Sequence, residues 1–323
     1  MRWQTDRVNE TLDRPGLLYG AGAYLMWGLF PLLMAALKPA GAFEITAHRA
    51  VWSLLVCLII VAFMRSWRQL RVALANRRVV LTLAAAGGFV GVNWLLYVYA
   101  IVSDHVNSAA LGYYINPLFT VALGVIVLGE RLRRLQMVAI AIGVIAVIVI
   151  GVGLGEFPWI SLALATSFGI YGLIKKRVGA KVDAVTGMTV ETMVLTPIAL
   201  IGLWIIAANS GMTFAQRGTE GLGIGHDLLL MSTGIFTAGA LILFAAGARR
   251  LPLYVTGLLQ YIAPTMMFIL AVWHFNEPMP PSRWAGFALV WVALVVLTVD
   301  GFRSQSKVRM RQKARAGEVV EPI

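Results

Sequence analysis

Two ionisable residues stand inside otherwise apolar runs: Arg49 in FEITAHRAVWSLLVCLII and Glu191 in VTGMTVETMVLTPIAL. At mid-helix depth in hydrocarbon, such a group costs at least about 2.5 kcal/mol when it faces lipid, so each requires a partner, a cavity or a cargo. Such a group pairs with an opposite charge, binds a charged solute or carries a proton. His48 precedes Arg49, and Glu44 lies four residues before His48 on the same helical face. Two readings follow. In the first, Arg49 and Glu191 pair as a gate or bind opposite charges on a solute, while His48 or Glu191 carries a coupling proton. In the second, Glu44 and His48 satisfy one another near the membrane surface and have no further role.

Neutral groups form a second set. Asn93, Trp94 and Tyr97 occur in GVNWLLYVYA; Tyr113, Tyr114 and Asn116 precede Pro117; Gln260 and Tyr261 precede Pro264. Rings and amides of this kind hold an organic solute by stacking and hydrogen bonding. They also serve as contacts between helices. Trp27, Phe30 and Pro31 of WGLFP are candidates for an opposing wall, and Gly87, Gly88 and Gly91 allow close approach of a neighbouring helix. Pro117 and Pro264 each remove a backbone donor and free the carbonyl four residues earlier, which makes them hinge candidates. Glu130 and Glu277, thirteen residues after the prolines, read as structural acids that cap a helix or form a loop ion pair.

Other chemistries lack their residues. Cys57 is the single cysteine and His48, His105, His226 and His274 are dispersed, so no metal site is expected. There is no HExxH, GxSxG or P-loop, hence no expected enzyme activity, ATP hydrolysis or cofactor. Basic residues do not alternate with aromatics on a polar segment, which argues against a nucleic-acid partner.

The elements that must position these residues are membrane helices. With 59% hydrophobic and 13% charged residues over 323 positions, the chain is too apolar for an ordinary water-soluble domain. Windows of about twenty residues, the length that crosses about 30 Å of hydrocarbon, predict ten spans: 16–37, 44–64, 79–101, 106–128, 135–153, 158–174, 184–207, 228–248, 253–275 and 284–302. Of the 27 lysines and arginines, only Lys38, Arg217 and Arg283 fall in loops opposite the N-terminus, with Arg49 inside a span. The rest place the polar tail 1–15 and the basic tail 303–323 in the cytoplasm.

Sliding the sequence by 147 positions superposes Tyr114 on Tyr261, Ile115 on Ile262, Pro117 on Pro264 and Glu130 on Glu277 without a gap. Each copy is the fourth of five spans, so 16–153 and 158–302 read as two repeats, and an odd number of spans inverts the second relative to the first. A shift of 142 makes Arg49 and Glu191 equivalent, giving the site two poles. Arg49 would lie roughly 8 Å below the outer edge of its span and Glu191 roughly 10 Å above the inner edge of its own, leaving about 12 Å of depth between them.

The segments YLMWGLFPLL, FEITAHRAVWS, GVNWLLYVYA, LGYYINPLFTVALGVIVLGERL, SFGIYGLIKKR and LQYIAPTMMFILAVWHFNEP resemble the RarD branch of the EamA-type carriers, within the drug/metabolite transporter superfamily. The resemblance runs from about residue 16 to 302. It implies an all-α, ten-helix permease of the plasma (inner) membrane, built from two EamA repeats and moving a small organic solute by alternating access on a proton or solute gradient. A flippase for a lipid or lipid-linked sugar is the alternative. The lipid bilayer and the solute are the expected partners, and a homodimer is left open.

Overall fold

The computed structural model describes residues 13–129, 132–178, 182–209, 211–216, 222–251 and 253–315. Twelve α-helices follow one another: α1 (Arg14–Ala35), α2 (Ala42–Phe63), α3 (Trp67–Ala75), α4 (Arg77–Val102), α5 (Val106–Leu128), α6 (Arg134–Leu154), α7 (Trp159–Val178), α8 (Ala184–Ala208), α9 (Ile224–Ala248), α10 (Leu253–Leu259), α11 (Ile262–Ile269) and α12 (Pro281–Arg315). A π-helical segment, Leu270–His274, extends α11.

Local signals set the helix ends. The side chains of Asp13, Asn76 and Asp183 accept N–H groups from the first turns of α1, α4 and α8. Gly129 and Gly155 close α5 and α6 in the left-handed region, at φ of 66° and 69°. Among the described residues, nine helical segments are long and apolar enough to cross a membrane. The predicted span 158–174 is helical as α7 but is not one of the nine. Ser161, Ser167 and Leu164 of α7 are buried in the bundle, where the helix packs against α4 and α5. A helix covered by protein has less need of apolar residues than one covered by lipid.

Helix packing is reciprocal. Pairing α5 with α7 has its counterpart in α11 with α1, α4 with α7 in α9 with α1, and α2 with α9 in α8 with α4. The pairs α2 with α8, α5 with α11 and α6 with α12 join equivalent positions of the two halves. Glycine allows the approach of α4 to α8: a Cβ on Gly87 would stand 3.1 Å from the Glu191 carbonyl oxygen, and one on Gly91 would meet Leu195 at 2.8 Å. Gly88 faces open space.

Three elements depart from the sequence expectation. The basic segment between the second and third spans contains a short amphipathic helix, α3, which buries Leu70 and Ala73 while exposing Arg68 and Arg71. The ninth span is interrupted at Gln260 and Tyr261, just before Pro264, which lies in the first turn of α11 and cannot donate to the Gln260 carbonyl. The tenth continues beyond 302 to Arg315, so part of the predicted tail is helical.

Candidate functional site

Arg49 is 5% exposed and projects from α2 into the contact between the two halves. Its guanidinium carbon lies 4.2 Å from the Trp94 ring centroid on α4 and 5.0 Å from that of Phe30 on α1. A desolvated cation over an aromatic face gains about 2 kcal/mol, enough for two rings to offset much of the burial cost. Its Nε donates to Thr237 Oγ1 on α9 at 2.9 Å, and Thr237 in turn donates to the Thr233 carbonyl at 2.7 Å. The threonine hydroxyl is thereby oriented as an acceptor, which fixes the plane of the fork. No carboxylate among the described residues forms an ion pair with Arg49.

Around this fork, the predicted residues separate by task. Tyr97 is buried beside Arg49 and its hydroxyl has no hydrogen-bond partner. Tyr113 packs edge-on against Tyr97, with centroids 5.9 Å apart. Asn93 is fully engaged between helices: its amide nitrogen donates to the Leu164 carbonyl and Ser167 Oγ, and its oxygen accepts from Tyr113 at 3.0 Å. Its amide is thus engaged by α7 and by Tyr113. Tyr114 turns away from this cluster, bonding Thr265 at 2.7 Å and packing against Phe287 and Trp291.

Glu191, the proposed opposite pole, is buried on α8 and pairs with Lys175 of α7, with Tyr171 also bonded at 3.4 Å. Arg49 is not its partner in this conformation. The span predicted from sequence ends at residue 174, with Lys175 in the following loop; α7 continues to Val178 and carries the ammonium back to Glu191. An unbroken row of ring contacts joins the two poles, from Tyr97 through Tyr113 and Phe168 to Tyr171. Helical spacing of Phe168, Tyr171 and Lys175 was the available signal for this face.

Glu44 and His48 do not bond each other. Glu44 accepts from the Thr213 and Phe214 backbone N–H groups, at 2.7 and 3.0 Å, and from Thr213 Oγ1. The same threonine contacts His226 Nε2 at 2.9 Å, and Asp227 accepts from Ala215. These groups secure the segment 211–216 over the end of α2. The His48 ring rests on Phe214, with centroids 4.6 Å apart, and its Nδ1 accepts from Trp52. Because an indole can only donate, His48 must release Trp52 before Nδ1 takes a proton.

Asn116, Pro117, Gln260 and Tyr261 line a cleft of about 470 Å³ between α5, α10 and α12. The Asn116 side-chain oxygen is buried without a partner. Glu277 lies past the π segment and accepts the Val106 and Asn107 N–H groups at the start of α5, the latter at 2.9 Å. Burial pushes its carboxyl above the ordinary carboxylate range, against the opposing pull of those N–H groups. Glu130 lies outside the described residues.

Comparison with known proteins agrees with this architecture. The model of the EamA-like transporter family matches twice, over residues 14–152 and 157–299. Protein RarD of Streptomyces exfoliatus is 48% identical over 96% of both chains. Protein RarD of Escherichia coli (strain K12) is 37% identical over 91% of this chain and 97% of its own. A solved crystal structure at 20% identity shares the fold, with a TM-score of 0.57 across 88% of this chain and 97% of its own. The chain is a multi-pass membrane transporter and belongs to the EamA-like transporter family as a RarD-type permease.

Proposed function

We propose that this permease moves a small organic solute across the plasma membrane by alternating access between two inverted repeats, 16–153 and 158–302, with both termini in the cytoplasm. The observation that carries the reading is the Arg49 fork. A buried guanidinium lies over two rings of the first repeat, is anchored to Thr237 of the second, and has no acid partner among the described residues. Reciprocal helix pairing supports the two-repeat motion, since equivalent contacts can be exchanged as one half rocks against the other. Trp94, Tyr97 and Tyr113 form the wall near Arg49. Asn116, Gln260 and Tyr261 form the approach, with Pro117 and Pro264 as hinges.

Glu44 and His48 act at the outer closure through the 211–216 segment. Glu191 with Lys175 closes the opposite pole, and a proton delivered to Glu191 would release the lysine and couple opening to a gradient. Solute flux into proteoliposomes, with and without an imposed pH gradient, tests this reading. Saturable flux that follows the gradient and is lost in Arg49→Ala supports it. Lipid or lipid-linked sugar flipping without solute flux would replace it with a flippase.

A further inference from the structure

We propose that the solute is an organic monoanion, with its carboxylate held by the Nη edge of Arg49 and its apolar body against Trp94, Phe30, Tyr97 and Tyr113. This assignment rests on the carrier reading above and names its substrate class.

Charge pairing in the interior supports one negative charge. Glu191 is neutralised by Lys175, while Glu44 accepts the Thr213 and Phe214 N–H groups and Asp227 accepts that of Ala215. Arg49 alone brings a buried positive charge to this site without an acid partner among the described residues. A cation would meet like charge there. A zwitterion would bring an ammonium whose natural partner, Glu191, is already engaged.

Geometry specifies the kind of anion. The guanidinium lies over the Trp94 and Phe30 rings and Thr237 takes Nε, so the donors left for a ligand are the Nη groups. Those groups match the two oxygens of a carboxylate. The unpartnered Tyr97 hydroxyl, buried beside the fork, provides a further donor. The rings around it give an apolar, flat surface for the remainder of the molecule.

The test uses one side chain in four charge states: N-acetylphenylalanine (anion), N-acetylphenylalaninamide (neutral), phenylalanine (zwitterion) and phenylalaninamide (cation). Binding to the purified full-length protein is measured by calorimetry and by the shift in unfolding temperature. The expected result is that the anion binds at least about tenfold more tightly than the neutral amide. Arg49→Gln should bring the two within about twofold, and Arg49→Lys, which keeps the charge but loses the fork, should fall between. Preference for the cation or zwitterion overturns the assignment. So does an anion preference that survives Arg49→Gln, or a series in which nothing binds. If Arg49→Gln does not fold, the wild-type series and Arg49→Lys still decide. Flux of the same compounds in liposomes separates the two claims: an anion bound but never moved defeats the carrier reading and leaves the anion site standing, whereas a transported cation does the reverse.

Discussion

The two halves treat corresponding positions in opposite ways. In the first, Arg49 lies over two rings with only its Nε bonded, to Thr237, and α5 passes through Pro117 without a break. In the second, Glu191 is closed by Lys175, and the span breaks into α10 and α11 just before Pro264. Similar sequences at repeat positions therefore define a shared scaffold more closely than a shared role. The first half presents a charge on a continuous frame; the second neutralises its charge and carries the interrupted helix.

The largest effect should come from disturbing the closed pole. Lys175→Met leaves Glu191 buried without its cation and should destabilise the protein by about 3–5 kcal/mol, measured by thermal unfolding in detergent. Replacing both residues, as Lys175→Met with Glu191→Leu, should recover most of that loss. Next comes Arg49→Gln, which should lower flux at least about 100-fold, roughly 2.7 kcal/mol, while changing the unfolding temperature little. An equally large stability loss there would erase the distinction between an open and a closed pole.

The proline helices should separate by a smaller margin. Pro264→Ala restores a donor at the break and should stiffen the joint, slowing transport about tenfold. Pro117→Ala, in a helix that is already continuous, should slow it by about threefold or less. Equal slowing by the two would remove the asymmetry. The smallest effect belongs to Glu277→Gln, which keeps one acceptor for the two N–H groups at the start of α5 and should cost about 1 kcal/mol on unfolding.

Much of this arrangement was legible in the sequence because membrane helices announce themselves through length and composition. Arg49 drew attention as a charge in an apolar run; Trp94 and Tyr97 followed from their i, i+3 spacing; Phe30 from the WGLFP segment. What could not be read was the choice of partner. Asn93 and Tyr113 are twenty residues apart, Arg49 and Thr237 are 188 apart, and nothing local in either sequence indicates their bond. Lys175 was hidden by a span boundary drawn one turn early, since a lysine looks like a loop residue until its helix is seen to continue. The division of labour between Tyr113 and Tyr114 follows from helix rotation: adjacent residues point about 100° apart, so one joins the Arg49 cluster and the other faces α11 and α12.

The length of α12 has a practical consequence. Its 35 residues extend for about 52 Å, whereas the hydrocarbon layer is about 30 Å thick. Roughly 20 Å of rod therefore lies beyond the hydrocarbon layer, continuous with a helix packed along α6. A folded marker joined in helical register after Arg315 would inherit a fixed orientation to the transporter, giving a small, almost featureless membrane particle a visible mast for image alignment.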